Sequence, residues 1–142
     1  MTSATPAYDP NNVFAKILRG EMPCHKVYED EKCLVFMDIM PRADGHALVI
    51  PKAPSRNIHD AAAEDLQHLI VIAQKIARAG KAAFKADGTT IAQFSESAGG
   101  QVVFHTHIHV MPRLDGVELR PSGIMADMAL VAEHAKMLAA AL

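Results

Sequence analysis

The stretch HTHIHVMPR, residues 105–113, most constrains what this chain can fold into. His105, His107 and His109 alternate strictly with Thr106, Ile108 and Val110, and Pro112 closes the run. A period of two is the pattern of a β-strand with two different faces. The three imidazoles then share one face, and Thr106, Ile108 and Val110 turn toward a core. Same-face neighbours on a strand sit roughly 6.5–7 Å apart, so a flat strand must bend before three rings reach one metal ion. Three readings stay open on these residues alone: a metal clip, a structural row, and a catalytic surface. No H-E-x-x-H or C-x-x-C segment accompanies the row to favour zinc. Imidazole titrates near pH 6.5, so such a row can offer a nucleophile, a proton donor and anion-binding N–H groups together. Gly99 and Gly100, just upstream, let backbone N–H groups approach an anion closely.

The remaining segments supply a frame for that strand. Asn12 can cap a short helix over residues 13–19, ended by Gly20, with Phe14, Ile17 and Leu18 on its apolar face. HKVYED and CLVFMDI flank the turn EDEK as a hairpin, and HALVIP, residues 46–51, is a third strand. From Asp60 the period changes. Leu66, Leu69, Ile70, Ala73, Ile76, Ala77 and Phe84 recur at three and four residues, which predicts a long amphipathic helix to about Lys85, slightly weakened by Gly80. TTIAQF is a fourth strand, SESAGG a loop, VVFHTHIHVMP a fifth strand, and residues 125–142 a terminal helix. The order predicts one α+β domain over residues 1–142, a five-stranded antiparallel sheet with one long helix and shorter terminal ones. Residues 1–11, polar and holding Pro6 and Pro10, are expected to be a loose arm.

Composition narrows the partners. With 14 basic against 16 acidic residues, the net charge of −2 argues against non-specific nucleic-acid binding and leaves room for one small anionic ligand. No apolar run approaches the roughly 20 residues of a membrane span. MTSATPAYDPNN lacks the basic and apolar regions of a signal peptide, and Cys24 and Cys33 suit a reducing compartment. The expectation is a soluble cytoplasmic protein without a cofactor or bound metal, and without a membrane or nucleic-acid partner.

Three ordered segments resemble the histidine triad (HIT) family, in its branch of small nucleoside phosphoramidases and AMP-releasing hydrolases. GGQVVFHTHIHVMPR fits the family's Gly-Gln-x-Val-x-His-x-His-x-His-x-x-Pro pattern, FMDIMPRADGHALVIPK its Asp-Ile-x-Pro and Gly-His-x-Leu-Val-Ile-Pro-Lys segment, and NNVFAKILRGEMPCHKVYEDE its opening helix and strand. The resemblance implies that His107 is a nucleophile attacking an α-phosphorus. It implies that His109 assists proton transfer at the phosphate or leaving group, and that His105 and His46 orient the nucleophile. Asp38 would accept the ribose hydroxyls, while Phe14, Ile17, Met22 and Ile39 would form the pocket for a purine base. Gly100 and Gln101 would lie beside the phosphate. The resemblance also implies a homodimer.

Two positions depart from the family pattern. Ser95 stands where an asparagine near the phosphate or ribose is expected, and a hydroxyl offers one donor where an amide offers two. Val102 stands where some relatives carry a hydroxyl. The C-terminal segment past Pro121 lies outside the strongest match. The function implied is hydrolysis of a nucleoside 5′-phosphoramidate or related AMP-X. Alternatives are a dinucleoside polyphosphate hydrolase, a nucleotidyl transferase, a nucleotide-binding interaction module and a zinc protein.

Overall fold

A computed structural model describes residues 6–142; the first five residues of the expected arm lie outside it. Asn12 caps α1, Val13–Leu18, its side chain accepting the Ala15 N–H at 2.9 Å. Then come β1, Lys26–Glu29, β2, Cys33–Met37, and β3, Ala47–Pro51. The long helix α2 spans Ala63–Ala83, and β4 spans Gly88–Ala92. A single 3₁₀ turn, Ser97–Gly99, leads to β5, Ile108–Arg113. The chain ends in α3, Met128–Ala140, capped by Asp127. The sheet order is β1-β2-β3-β5-β4, and every neighbouring pair is antiparallel.

Alternation along β2 and β3 sorts their side chains between two cores. Cys33, Val35, Met37, Ala47 and Val49 join Ile108 and Val110 beneath α2 and α3, against Leu69, Ile72, Ile76 and Leu138. Leu34, Phe36, Leu48 and Ile50 face the other way and pack against Phe14 of α1. All five residues of β2 and of β3 are therefore buried. Each fully buried Leu or Ile contributes about 1.5–3 kcal/mol relative to exposure. Gly80 does more than weaken a helix. A Cβ there would stand 3.0 Å from the Pro112 ring, so glycine lets α2 lie close on β5. Among the described residues, no helix is long and apolar enough to cross a membrane.

The fifth strand is shorter than its alternation predicts. Pairing with β3 and β4 begins at Ile108 and Ala92–His109, and residues 102–107 are irregular. The Gln101 side chain and the Thr106 N–H account for this. Gln101 Nε2 donates to the Arg56 and Val103 carbonyls at 2.7 and 3.0 Å, and Thr106 N–H donates to the Ser55 carbonyl at 2.9 Å. These bonds draw the segment over the loop after β3. Only His109 of the three histidines sits on a strand.

Candidate active site

Four histidines converge where the irregular segment 102–107 meets β3 and β5. His46 enters from the β2–β3 loop, where Gly45 takes φ +82°. The Asp38 N–H donates to the His46 carbonyl at 3.0 Å, closing that loop. His109 occupies the sheet face opposite Ile108 and Val110, paired in register with Leu48. The His107 and His109 ring centroids are 4.9 Å apart, and those of His46 and His109 are 5.1 Å apart. His46, His105 and His107 are buried.

Backbone groups fix the tautomers, because a carbonyl can only accept and an amide N–H can only donate. The His107 Nδ1–H donates to the His105 carbonyl at 2.6 Å, which leaves Nε2 with its lone pair. The His105 Nε2–H donates to the Pro51 carbonyl at 2.8 Å, so its Nδ1 is an acceptor. The Arg42 backbone N–H donates to His46 Nδ1 at 3.0 Å, which puts the His46 proton on Nε2. That proton goes to His109 Nδ1, 2.9 Å away, and His109 therefore carries its own proton on Nε2. The cluster thus presents one bare nitrogen, on His107, beside one N–H donor, on His109.

Burial holds all four rings neutral. It pushes His46 down to about 3, helped by His109 and Arg42. It pushes His109 down to about 4, helped by His107 and Arg42. His105 also lies at about 4, against a smaller opposing effect of the Pro51 carbonyl. Burial lowers His107 too, with the His105 carbonyl opposing. Asp38 lies beside the cluster, its Oδ2 3.5 Å from His46 Nε2 and its Oδ1 accepting the Met40 N–H at 2.8 Å. Burial raises its pKa, with that N–H opposing.

The other expected site residues divide. Phe14 packs edge-on against the His107 ring at 5.0 Å, and Ile17 is partly buried in the same cluster. Met22 and Ile39 are exposed rather than packed in a core. Three expected residues near the glycines are engaged within the protein itself. The Gly99, Gly100 and Gln101 N–H groups donate within their own turn, to Glu96, Ser97 and Glu96 carbonyls, and do not cradle an anion in this conformation. The Gln101 side chain is likewise fully engaged, its Oε1 accepting from Asn57 Nδ2 and the Glu96 N–H. Ser95 Oγ donates to Gln93 Oε1 at 3.0 Å, away from the histidines. The residue that reaches the cluster is its neighbour Phe94, whose ring centroid is 5.3 Å from that of His109.

Phe94 and Tyr8 are the side chains that the sequence alone did not assign to the site. Phe94 ends an alternating run, TTIAQF, and that period was the available signal. Tyr8 had none, because it sits in a polar, proline-flanked segment. In the structure its hydroxyl lies 2.6 Å from His105 Nδ1, so the expected loose arm is tied down there. Among the described residues, two groups hold possible metal ligands close together: Asp38, His46 and His109, and Asp30, Cys33 and His68. In the first, a proton already links the two rings. In the second, Asp30 already accepts from Tyr28, His68, Lys32 and Cys33, which describes a hydrogen-bonded knot at the β1–β2 turn.

Comparison with known proteins agrees with this fold. The model of the HIT domain matches residues 19–116. A Hit-like protein involved in cell-cycle regulation from Bartonella henselae is 52% identical, with a TM-score of 0.93 over 96% of this chain and 100% of that one. The adenylylsulfatase HINT3 of Arabidopsis thaliana is 42% identical over 106 residues, 71% of this chain and 51% of that protein. The adenosine 5′-monophosphoramidase HNT1 of Saccharomyces cerevisiae is 35% identical over 113 residues, 80% of this chain and 69% of that protein.

Proposed function

The chain belongs to the HIT domain family, and from that premise we propose that it hydrolyses nucleoside 5′-phosphoramidates or related AMP-X nucleotides through a nucleotidyl-histidine. The observation that carries this is the pairing of a bare His107 Nε2 with the Nε2–H of His109. His107 Nε2 attacks the α-phosphorus, and the bond from phosphorus to the leaving nitrogen breaks. The His109 Nε2–H holds the phosphate and leaving group, and the leaving nitrogen takes a proton from solvent, so the amine departs neutral. The His105 carbonyl, already accepting the His107 Nδ1–H, stabilises the positive charge that develops on the ring. Water then attacks the same phosphorus and returns a proton to solvent. The phosphorus–His107 bond breaks, releasing the nucleoside monophosphate and restoring the His107 ring.

His46 serves this cycle by holding His109 in the Nε2–H tautomer, its own proton placed by the Arg42 amide. Asp38 is assigned the ribose hydroxyls. Phe14, Ile17, Met22 and Ile39 are assigned the base, the last two from exposed positions. The names of the yeast and Arabidopsis relatives support an AMP-linked substrate here. The homodimer is a further part of this reading. β4 is an edge strand with Ile91 exposed on it, and an unpaired edge invites a second copy. A cytoplasmic location fits the free thiols of Cys24 and Cys33.

The test is release of AMP from adenosine 5′-phosphoramidate, compared with a diadenosine polyphosphate and with transfer to acceptors other than water. Quenching in alkaline denaturant, where a histidine–phosphorus bond survives, should trap a nucleotide on His107. In His107→Ala the rate should fall by at least about 10³-fold while nucleotide binding survives. Unchanged hydrolysis in that variant refutes the mechanism, and AMP binding without turnover of any substrate favours a nucleotide-binding module instead. Light scattering in solution decides the dimer.

A further inference from the structure

Residues 8–14 run past the histidine cluster as a strap, and its two aromatic side chains each meet one ring. Tyr8 Oη lies 2.6 Å from His105 Nδ1, with the rings edge to face at 5.6 Å. Phe14 meets the His107 ring at 5.0 Å and 89°. Between them the backbone is pinned. Asn12 Nδ2 donates to the Asp9 carbonyl at 2.7 Å, the Asn11 N–H donates to Asp9 Oδ1 at 2.8 Å, and Arg19 Nη1 donates to the Pro10 carbonyl at 2.7 Å.

The direction of the Tyr8 bond follows from the other side of the His105 ring. Nε2 faces the Pro51 carbonyl and must hold the proton, so Nδ1 can only accept and the Tyr8 hydroxyl donates. His105 is 0% exposed, so its Nδ1 has no water to turn to. The same residue's carbonyl keeps the proton on His107 Nδ1. One hydroxyl from outside the histidine row therefore supports the ring whose main chain sets the attacking nitrogen.

We propose that Tyr8 is a positioning residue: its hydroxyl satisfies the buried His105 Nδ1 and fixes the ring in place against the Pro51 carbonyl, and so holds the carbonyl that aligns His107. The kinetic part rests on His107 being the nucleophile; the structural part does not. Tyr8→Phe keeps the ring and removes only the donor. His105 then has a buried acceptor without a partner, and its alternative tautomer would set a lone pair against the Pro51 carbonyl. The ring moves between compromises, and the carbonyl of the same residue moves with it.

Three measurements on the full chain and Tyr8→Phe test this: nitrogen NMR of the imidazoles, steady-state hydrolysis of adenosine 5′-phosphoramidate, and circular dichroism. With the fold retained, kcat should fall roughly fivefold to tenfold and KM should change by less than about twofold. The His105 Nδ1 resonance should shift and broaden as the ring loses its hydroxyl partner and samples more than one orientation. An unchanged kcat, or a loss that only tracks the folded fraction while the His105 spectrum stays fixed, overturns the proposal. If the wild type releases no AMP, the functional reading fails separately. The His105 spectrum then decides the role of Tyr8, and an unaltered Nδ1 resonance refutes it.

Discussion

The Nδ1 of His107 lies 2.6 Å from the carbonyl oxygen of His105, two residues back along the same segment. Because that bond occupies the protonated nitrogen, a second proton can enter only at Nε2, the atom assigned to attack. Protonation at low pH therefore abolishes nucleophilicity. Burial lowers the His107 pKa below the ordinary 6.5. The value of kcat/KM is expected to stay level from pH 8 through pH 7 and to fall only below 6.5. A pH–rate profile whose acid limb has its midpoint at or above neutrality contradicts this assignment.

Three of the rings also make the fold acid-sensitive. His46 is held down to about 3, and His105 and His109 to about 4, each from 6.5. The unfolded chain binds these protons first. The stability from burying neutral rings is fully present above 6.5 and is lost as pH falls from 6.5 toward 4 and then 3. Each ring contributes a slope of at most about 1.4 kcal/mol per pH unit inside its window. Asp38, raised by burial, works in the opposite direction but is a single group. The Tm should therefore drop markedly between pH 7.5 and 5. A Tm that is flat over that span would mean that the rings take up protons as readily in the fold as in the unfolded chain.

Phe94 and Ser95 should exchange the importance that the sequence pattern gives them. The Phe94 ring stands against His109, 5.3 Å between centroids, and limits how that ring can turn. Ser95 Oγ instead bonds Gln93 and receives the Ile58 N–H at 3.4 Å. Phe94→Ala should lower kcat roughly fivefold to tenfold through a misaligned N–H donor, and Ser95→Ala should change kcat/KM less than about twofold. The reverse order of effects, measured on one substrate, would return the serine to the phosphate.

What could be read from the sequence was periodic. The continuous apolar runs of β2 and β3, buried on both faces, and the three-and-four spacing of Leu69, Ala73 and Ile76 place the sheet and α2 directly, because burial produced those patterns, although Ile70 of the same spacing is exposed. One helix start was legible where a side chain makes the cap, at Asn12, whereas α3 begins at Met128 behind an Asp127 cap, three residues after the expected start. The same rule misled at residues 102–107. The alternation continues there, but the Gln101 and Thr106 bonds to the loop after β3 override it, and no local pattern encodes a partner some 45–50 residues away. For the site, His46, Asp38 and the triad were found from their types and order. The tautomers were not, since they depend on the backbone of Arg42, Pro51 and His105. Tyr8 was missed because a polar segment next to prolines carries no sign of what it touches.

Gly45 offers a test of how closely the fold controls His46. It takes φ +82°, where a residue with a Cβ is strained. A Cβ built there would also stand 2.5 Å from the Phe84 ring, which packs under the loop at the end of α2. Alanine at this position meets both penalties at once, and either relief moves the next residue, His46. If the backbone turns to a negative φ, the Arg42 amide loses His46 Nδ1. If Phe84 shifts, its edge contact with His134 of α3, 5.0 Å between centroids, opens. Gly45→Ala should cost about 2–4 kcal/mol in stability. Its folded fraction should also hydrolyse substrate more slowly than wild type, because His46 no longer sets the His109 tautomer. Denaturant unfolding gives the first quantity, and kcat per folded molecule gives the second. A loss of stability with full kcat per folded molecule would separate the loop from the chemistry and leave His46 a structural residue.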